Sequence, residues 1–202
     1  MKKGLFITFE GIDGCGKTTQ IELLKNSLEK QGENVLLTRE PGAKGLGEKL
    51  REILLNYEGD VSSNCESFLF LADRAQHIDT IIKPAIDKGV IVICDRHTDS
   101  TVAYQGYGRG LDLKQIHYLN NIATNGIKPD LTFILDIDVE TSLERIGKAR
   151  DRMESAGIDF FNRVRKGYIE ISRQEPERAK LINGKDSIEN IHSQIIKHIS
   201  EF

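Results

Sequence analysis

The chain repeats one pattern along its 202 residues, in which a short, continuous apolar run precedes a longer amphipathic segment. Apolar runs without alternation are typical of parallel strands that are covered on both faces. Five such runs lie at residues 5–10, 34–38, 90–94, 131–137 and 180–183. Strands that alternate with amphipathic segments predict an α/β fold with a doubly wound, five-stranded parallel sheet flanked by helices.

The amphipathic segments have the three- and four-residue spacing of apolar positions that predicts helices. After the first strand, Ile21, Leu24 and Leu28 share one face, and Gly32 is placed to end the helix. Further helices are predicted at residues 46–57, 63–88, 113–124, 139–146, 160–172 and 188–199. Because neither a repeat nor a flexible linker interrupts the pattern, we expect a single domain over residues 1–202.

The composition of the chain disfavours several classes of binding partner. The net charge of -3 and the pI near 6.0 disfavour a general attraction to a nucleic-acid polymer or an anionic membrane. No apolar run approaches the roughly 18 residues of a membrane span. The three cysteines form no C-x-x-C pair, which disfavours a disulfide framework or a zinc site and suits a reducing cytosol. We therefore expect a cytoplasmic protein with small-molecule ligands.

A glycine-rich loop follows the first predicted strand. Gly11, Gly16, Lys17 and Thr18 have the G-x-x-x-x-G-K-[ST] spacing of a phosphate-binding loop, or P-loop. Glycines let backbone amides face a phosphate, and the following helix N-terminus adds partial positive charge. Lys17 is predicted to reach the β- and γ-phosphates of a nucleotide, and Thr18 to bind Mg²⁺. The predicted nucleotide-binding residues of this segment are Gly11, Ile12, Asp13, Gly14, Cys15, Gly16, Lys17, Thr18 and Thr19.

The third predicted strand, in VIVICDRH, leads directly to an acidic and a basic residue. Asp95 is placed where a P-loop protein needs a carboxylate for Mg²⁺, so Thr18 and Asp95 are the predicted metal residues. Arg96 follows at once and is placed to clamp a transferring phosphoryl group. Asp136 and Asp138, after the fourth strand, are alternatives for the metal. We favour Asp95 because of the arginine beside it.

Arginines are the remaining candidates for phosphate binding, since a guanidinium group makes bidentate contacts to phosphate. Those that lie just after strands, or in helices near the sheet edge, are Arg39, Arg51, Arg74, Arg96 and Arg109. A second cluster, in the segment ERIGKARDRMESAG, contains Arg145, Lys148, Arg150 and Arg152. This cluster fits a solvated helix face and a basic lid, at about residues 147–157, equally well.

Two classes of function remain open on these observations, namely a small-molecule kinase and a P-loop switch or regulatory ATPase. The guanine-reading motif N-K-x-D of GTPases is not matched by NGIKPD or INGKD. A kinase needs a second pocket with an aromatic side chain, polar groups and arginine. SFLFLADRAQH and DRHTDSTVAYQGYGRG have that composition.

The sequence resembles bacterial thymidylate kinases (dTMP kinases), of the P-loop nucleoside-monophosphate kinase family, over nearly its whole length. The shared segments are FITFEGIDGCGKTTQ, TREPG, FLFLADRAQH, IIKPAIDKGVIVICDRH, AYQGYGRG, KPDLTFILDID and DFFNRVRKGY. The resemblance implies Mg²⁺-dependent transfer of the γ-phosphoryl group of ATP to dTMP, which supplies dTTP synthesis, and it implies a homodimer. The alternatives are a related deoxynucleoside or nucleoside-monophosphate kinase with another acceptor, and a non-catalytic ATP-binding regulatory module.

The resemblance also implies roles for individual residues. Phe70 would stack on the thymine, and Arg74 would bind a thymine carbonyl and so reject cytosine. Tyr104 would press against the sugar where a ribonucleotide carries its 2′-hydroxyl. The residues implied to bind dTMP are Asp13, Arg39, Arg51, Phe70, Arg74, Arg96, Thr101, Tyr104, Gln105 and Tyr168. Those implied to be catalytic are Lys17, Arg96, Asp95, Asp13 and Arg150.

Two segments depart from patterns within the family, the P-loop and the loop after TREPG. Some members carry an arginine in the P-loop where this chain has Gly14, so the resemblance implies that the lid supplies the charge, with Arg150 catalytic and Arg145 against the adenine. The family usually continues TREPGGT, whereas this chain reads TREPGAKG. Ala43 and Lys44 therefore replace a glycine and a threonine near the expected acceptor phosphate.

Overall fold

The computed structural model describes residues 4–147 and 157–201. Its strands are β1 (Phe6–Glu10), β2 (Val35–Arg39), β3 (Ile91–Asp95), β4 (Leu131–Asp136) and β5 (Ala179–Asn183). They form one parallel sheet in the order β2-β3-β1-β4-β5. Each predicted strand is confirmed to within one residue at either end. The α/β fold with a five-stranded parallel sheet is therefore confirmed.

Helices connect the strands and cover both faces of the sheet. Their bounds are α1 (Lys17–Lys30), α2 (Leu46–Asn56), α3 (Ser63–His77), α4 (Lys83–Asp87), α5 (Thr98–Thr101), α6 (Leu113–Ala123), α7 (Val139–Ile146), α8 (Ile158–Gln174) and α9 (Ile188–Ser200). The helix predicted at residues 63–88 is α3 and α4 joined by a π-helical segment, Ile78–Ile82. Pro84 has no amide hydrogen to donate within the helix. The wider π-helical turn lies just before this proline. No helix in the described part of the chain is long and apolar enough to cross a membrane.

The sequence analysis missed one helical segment. α5 continues into a π-helical stretch, Val102–Gly108, in the part of the chain where glycines lower the helix propensity. Tertiary packing explains these glycines, because a Cβ on Gly108 would lie 2.6 Å from the ring of Phe160. A Cβ on Gly167 would likewise lie 2.8 Å from the ring of Tyr107. Close contact with α8 therefore stabilises a segment that its own propensities do not favour.

The core lies on both sides of the sheet. Ile91 and Ile93 pack into the larger cluster, whereas Val92 and Cys94, which alternate with them along β3, pack into a smaller cluster with Phe6. Fully burying one such side chain contributes roughly 1.5 to 3 kcal/mol. The register pairs Phe9 with Asp95 and Arg39 with Asp95. It therefore brings the carboxyl ends of β1, β2 and β3 together. The lid predicted at about residues 147–157 falls almost wholly outside the described residues and stays a prediction.

Candidate active site

The P-loop connects β1 to α1 through three glycines with positive φ. The φ angles of Gly11, Gly14 and Gly16 are 129°, 73° and 99°, a region that favours glycine. Lys17 is nearly buried, and its Nζ donates to the carbonyl oxygens of Gly11 at 3.1 Å and Ile12 at 3.3 Å. The ammonium group therefore lies across the loop, where it can meet phosphate oxygens held by the helix N-terminus.

The remaining predicted P-loop residues have different environments. Cys15 is buried, whereas Thr18 and Thr19 are exposed on the first turn of α1. The loop is also attached to α7, because Ser142 Oγ donates to the Asp13 carbonyl at 2.7 Å. Arg145 Nη1 donates to the Gly14 carbonyl at 3.1 Å. Arg145 thus lies beside the loop, and its contact with the adenine stays a prediction, while Arg150 lies outside the described residues.

Asp95 has the features of a cation ligand. It ends β3 and lines a polar cavity together with Lys17 and Thr18. Its Oδ1 is buried and has no hydrogen-bond partner among residues 4–147 and 157–201. The alternatives are already paired, since Asp136 accepts two hydrogen bonds from Arg165 and Asp138 caps α7. A buried carboxylate oxygen without a partner fits a bound divalent cation.

Arg96 adopts a backbone conformation that is unusual for a side chain of its size. Its φ is 69°, a left-handed value that costs about 1 to 3 kcal/mol for a residue other than glycine. Its guanidinium donates to Asp13 Oδ1 at 2.7 Å and to the hydroxyl oxygens of Tyr104 and Tyr168 at 3.3 and 3.2 Å. Burial disfavours the ionised form of Asp13, but Arg96 and then Lys17 outweigh it and lower the pKa of Asp13 to about 2. The strained turn therefore places the Arg96 guanidinium, held by these hydrogen bonds, beside the P-loop.

Glu10 accepts hydrogen bonds from the residues that follow Arg96, a role that the sequence analysis missed. Its Oε1 accepts hydrogen bonds from the amides of His97 at 2.8 Å and Ser100 at 3.3 Å. Its Oε2 accepts from the hydroxyl groups of Ser100 at 2.6 Å and Tyr168 at 3.0 Å. Burial, followed by the nearby carboxylate of Asp99, raises the pKa of Glu10 to about 7. A charged residue at the end of an apolar strand was the available signal.

A second cavity of about 590 Å³ lies beside the P-loop. The predicted dTMP residues that line it are Asp13, Arg51, Phe70, Arg74, Arg96, Thr101, Tyr104 and Gln105. Arg39 lines only the polar cavity over the P-loop. Tyr168 is not a lining residue of either cavity and instead lies behind Arg96, with which it shares a hydrogen bond. The structure thus brings together most of the predicted site.

Arg74 is fully buried at the base of this second cavity. Its Nε donates to Glu40 Oε2 at 2.8 Å, and its Nη1 donates to Thr101 Oγ1 and Asn120 Oδ1, both at 2.7 Å. Its Nη2 donates to the His97 carbonyl at 2.9 Å. Four of its five N–H groups are therefore used within the protein. The guanidinium is fixed before any ligand binds.

Glu40 completes this network and was also missed. Both His77 Nδ1 and His97 Nδ1 lie 2.9 Å from its Oε1, opposite the contact with Arg74. Burial disfavours its ionised form, but Arg74 and then His97 hold the pKa of Glu40 well below its ordinary value. Burial also lowers the pKa of His97 despite the Glu40 carboxylate. Glu10 ends β1 and Glu40 directly follows β2, so a carboxylate at the carboxyl end of an apolar strand was the available signal in both cases.

Comparisons with known proteins agree on one family. The profile described as thymidylate kinase matches residues 9–195. The chain belongs to the thymidylate kinase family. A thymidylate kinase from Desulfovibrio desulfuricans is 47% identical over 197 residues, which cover 93% of this chain and 91% of that protein. One from Sulfurihydrogenibium sp. is 46% identical, with 98% of each chain covered.

A solved thymidylate kinase structure shows the same fold. The crystal structure of the enzyme from Ehrlichia chaffeensis has a TM-score of 0.81 and 41% identity, and the match covers 98% of this chain and 99% of that one. The family resemblance stated from the motifs is therefore confirmed. Because the match covers nearly the whole of both chains, the similarity extends well beyond the P-loop segment.

Proposed function

We propose that the protein transfers the γ-phosphoryl group of ATP to dTMP, giving ADP and dTDP. The main support for the proposal is that the polar cavity over the P-loop and the second cavity share lining residues. Asp13, Glu40, Arg51 and Arg96 line both the polar cavity over the P-loop and the cavity beside it. A donor phosphate on the loop and an acceptor phosphate in the second cavity would meet at these residues.

Positioning and charge neutralisation would drive the reaction, because phosphoryl transfer requires little covalent chemistry from the protein. Lys17 and the loop amides would bind the β- and γ-phosphates. Arg96, fixed by Asp13, would lie between donor and acceptor and neutralise charge that develops during transfer. The acceptor phosphate is already ionised at neutral pH, so its attack does not depend on a general base. Arg51 and Arg96, which line the second cavity, would hold that phosphate, and Arg39 would approach it from the polar cavity.

The base-binding end of the second cavity suits thymine. Phe70 supplies an aromatic face for stacking, which contributes roughly 1 to 3 kcal/mol per base. The remaining N–H of Arg74 would donate to a thymine carbonyl, and Thr101 and Gln105 would bind the rest of the polar edge. Tyr104 would exclude a 2′-hydroxyl. Tyr168, one layer behind, would act on the substrate through Arg96.

Thr18 and Asp95 would hold the Mg²⁺ ion that accompanies ATP. Asp95 Oδ1, which is buried and has no partner in the part of the chain that the structure describes, and the exposed hydroxyl of Thr18 are suitable oxygen ligands on the same cavity. When bound, the ion would neutralise charge on the phosphate oxygens of ATP. Thr18 and Asp95 would therefore help to orient the phosphate chain along the loop.

We further propose that the lid supplies the catalytic arginine that the P-loop lacks. A Cβ on Gly14 would meet the Ser142 carbonyl at 3.1 Å and Arg145 Cβ at 3.3 Å, so any side chain at this loop position would be crowded at its Cβ. Arg150 is the proposed catalytic arginine, and Arg145 would lie against the adenine. Residues 147–157 would then close as one lid within a single-domain enzyme.

The protein is proposed to act as a homodimer. Large exposed apolar side chains are concentrated on three neighbouring helices, α2, α3 and α6, and on the residue that ends α2. They are Leu46, Ile53, Tyr57, Phe68, Tyr118 and Ile122, with exposed fractions of 45% to 67%. Apolar patches of this kind mark association surfaces. Sedimentation equilibrium of the wild type and of a Phe68→Asp, Tyr118→Asp variant tests this; a monomeric wild type would contradict it.

One experiment tests the proposed activity. ATP-dependent phosphorylation is measured with dTMP, dUMP, dCMP, dGMP and thymidine at equal concentrations, with and without Mg²⁺. We expect dTDP as the preferred product and no reaction without the metal. A preference for a different acceptor would identify a related nucleotide kinase, and the absence of every product would identify a non-catalytic nucleotide-binding protein. The Lys17→Ala variant serves as the inactive control.

A further inference from the structure

The side-chain amide of Gln105 is held in one orientation from outside the base-binding cavity. Its Nε2 donates to Glu66 Oε1 at 3.0 Å. Its Oε1 has no hydrogen-bond partner within residues 4–147 and 157–201, although Gln105 lines the cavity. A carboxylate offers only acceptors, so the nitrogen of the amide must face Glu66. The oxygen is the amide atom that remains for a ligand.

Glu66 is itself fixed. It lies in α3, is buried, and accepts hydrogen bonds from Arg109 Nε and Nη2, both at 3.1 Å. The Arg109 guanidinium also lies 4.7 Å from the ring centroid of Phe160 in α8. A bidentate pair prevents rotation of the carboxylate. The orientation of the Gln105 amide is therefore imposed by a rigid arrangement in which no ligand takes part.

We propose that Glu66 is a positioning residue for base selection. By holding the nitrogen of Gln105, it makes that residue present an acceptor to the base. An acceptor at this point pairs with the N3–H of thymine or uracil and leaves the unprotonated N3 of cytosine unpaired. Arg74 presents a donor, which matches a carbonyl and not the amino group of cytosine. The inference rests on the proposed phosphorylation of dTMP.

The Glu66→Gln variant tests this role. A glutamine at this position offers both a donor and an acceptor, so the Gln105 amide is free to present its nitrogen to the base. We expect the ratio of kcat/KM for dTMP to kcat/KM for dCMP to fall by roughly ten- to a hundredfold, the usual effect of one buried polar mismatch. The dTMP to dUMP ratio should not change, because those bases have the same polar edge. Glu58→Gln removes the same charge at an exposed position and serves as the control.

A double-mutant cycle separates positioning from a general structural effect. Gln105→Ala removes the amide, so adding Glu66→Gln to it should leave the dTMP to dCMP ratio unchanged. An unaltered ratio in Glu66→Gln alone, or a further fall in the double variant, would overturn the proposal. If Glu66→Gln does not fold, Glu66→Gln with Arg109→Gln removes the buried carboxylate together with its partly exposed partner and gives the same readout. A wild type that fails to phosphorylate dTMP would instead contradict the proposed function.

Discussion

Replacing Glu10 by glutamine should change how the stability of the protein depends on pH. Burial and the neighbouring Asp99 raise the pKa of Glu10 from its ordinary value of 4.5 to about 7. The folded protein thus holds this proton more tightly than the unfolded chain. The stability associated with Glu10 is fully present below pH 4.5 and is lost as the pH rises through about 7.

The size of the effect follows from the two pKa values. A tenfold change in proton affinity is worth about 1.4 kcal/mol, so the rise in pKa corresponds to roughly 3 kcal/mol in total. Between pH 5 and pH 8, the wild type should lose roughly 2 to 3 kcal/mol of unfolding free energy through this group. Glutamine cannot titrate, yet its oxygen can accept from the His97 amide and its nitrogen can donate to the Ser100 and Tyr168 hydroxyl oxygens. The variant should therefore keep the fold.

Urea denaturation followed by circular dichroism at pH 5 and pH 8 measures the effect. The quantity of interest is the unfolding free energy of Glu10→Gln minus that of the wild type, which should rise between the two pH values. Glu22→Gln, an exposed carboxylate on α1, should show no such rise. A constant difference would mean that Glu10 has no raised pKa. A fall in this difference would mean that Arg96 and the four hydrogen-bond donors lower the pKa of Glu10 by more than burial raises it.

Three further variants test the catalytic assignments. Arg96→Ala should lower kcat by roughly 10²- to 10³-fold in a steady-state ATP and dTMP assay, and near-normal turnover would refute the clamp. Asp95→Asn should raise the Mg²⁺ concentration for half-maximal activity by roughly tenfold or more, and an unchanged magnesium titration would place the ion elsewhere. Arg150→Ala should lower kcat strongly with a milder change in the KM for dTMP, whereas the reverse pattern would exclude it as the catalytic arginine.

Local patterns made the sheet and the P-loop predictable. A buried parallel strand needs a continuous apolar run, and a phosphate loop needs glycines at fixed spacing, so both leave a signal within a few residues. The segment 98–108 leaves no such signal. Its helical conformation depends on the contact of Gly108 with Phe160, a residue more than 50 positions away. Tertiary packing overrides propensity there.

The polar networks beneath the site were unpredictable for a related reason. Glu40 joins Arg74, His77 and His97, and the shortest of these separations along the chain is 34 residues. Periodicity describes one element at a time and does not report which side chains from different elements meet. The direction of the Gln105 amide likewise depends on Glu66, 39 residues earlier. Such residues are identified only by the contacts in the folded protein.

The contacts of Asp13 with α7 and with Arg96 give a physical route by which the binding of the two substrates would be coupled. Ser142 binds the carbonyl of Asp13, while the side chain of the same Asp13 holds Arg96 at the acceptor cavity. A nucleotide that fixes the conformation of the loop would therefore also fix Asp13. Through Asp13 it would fix the Arg96 guanidinium, which would contact dTMP. The factor by which ATP changes the affinity for dTMP must equal the factor by which dTMP changes the affinity for ATP. One aspartate, through its backbone and its side chain, would set the size of that shared factor.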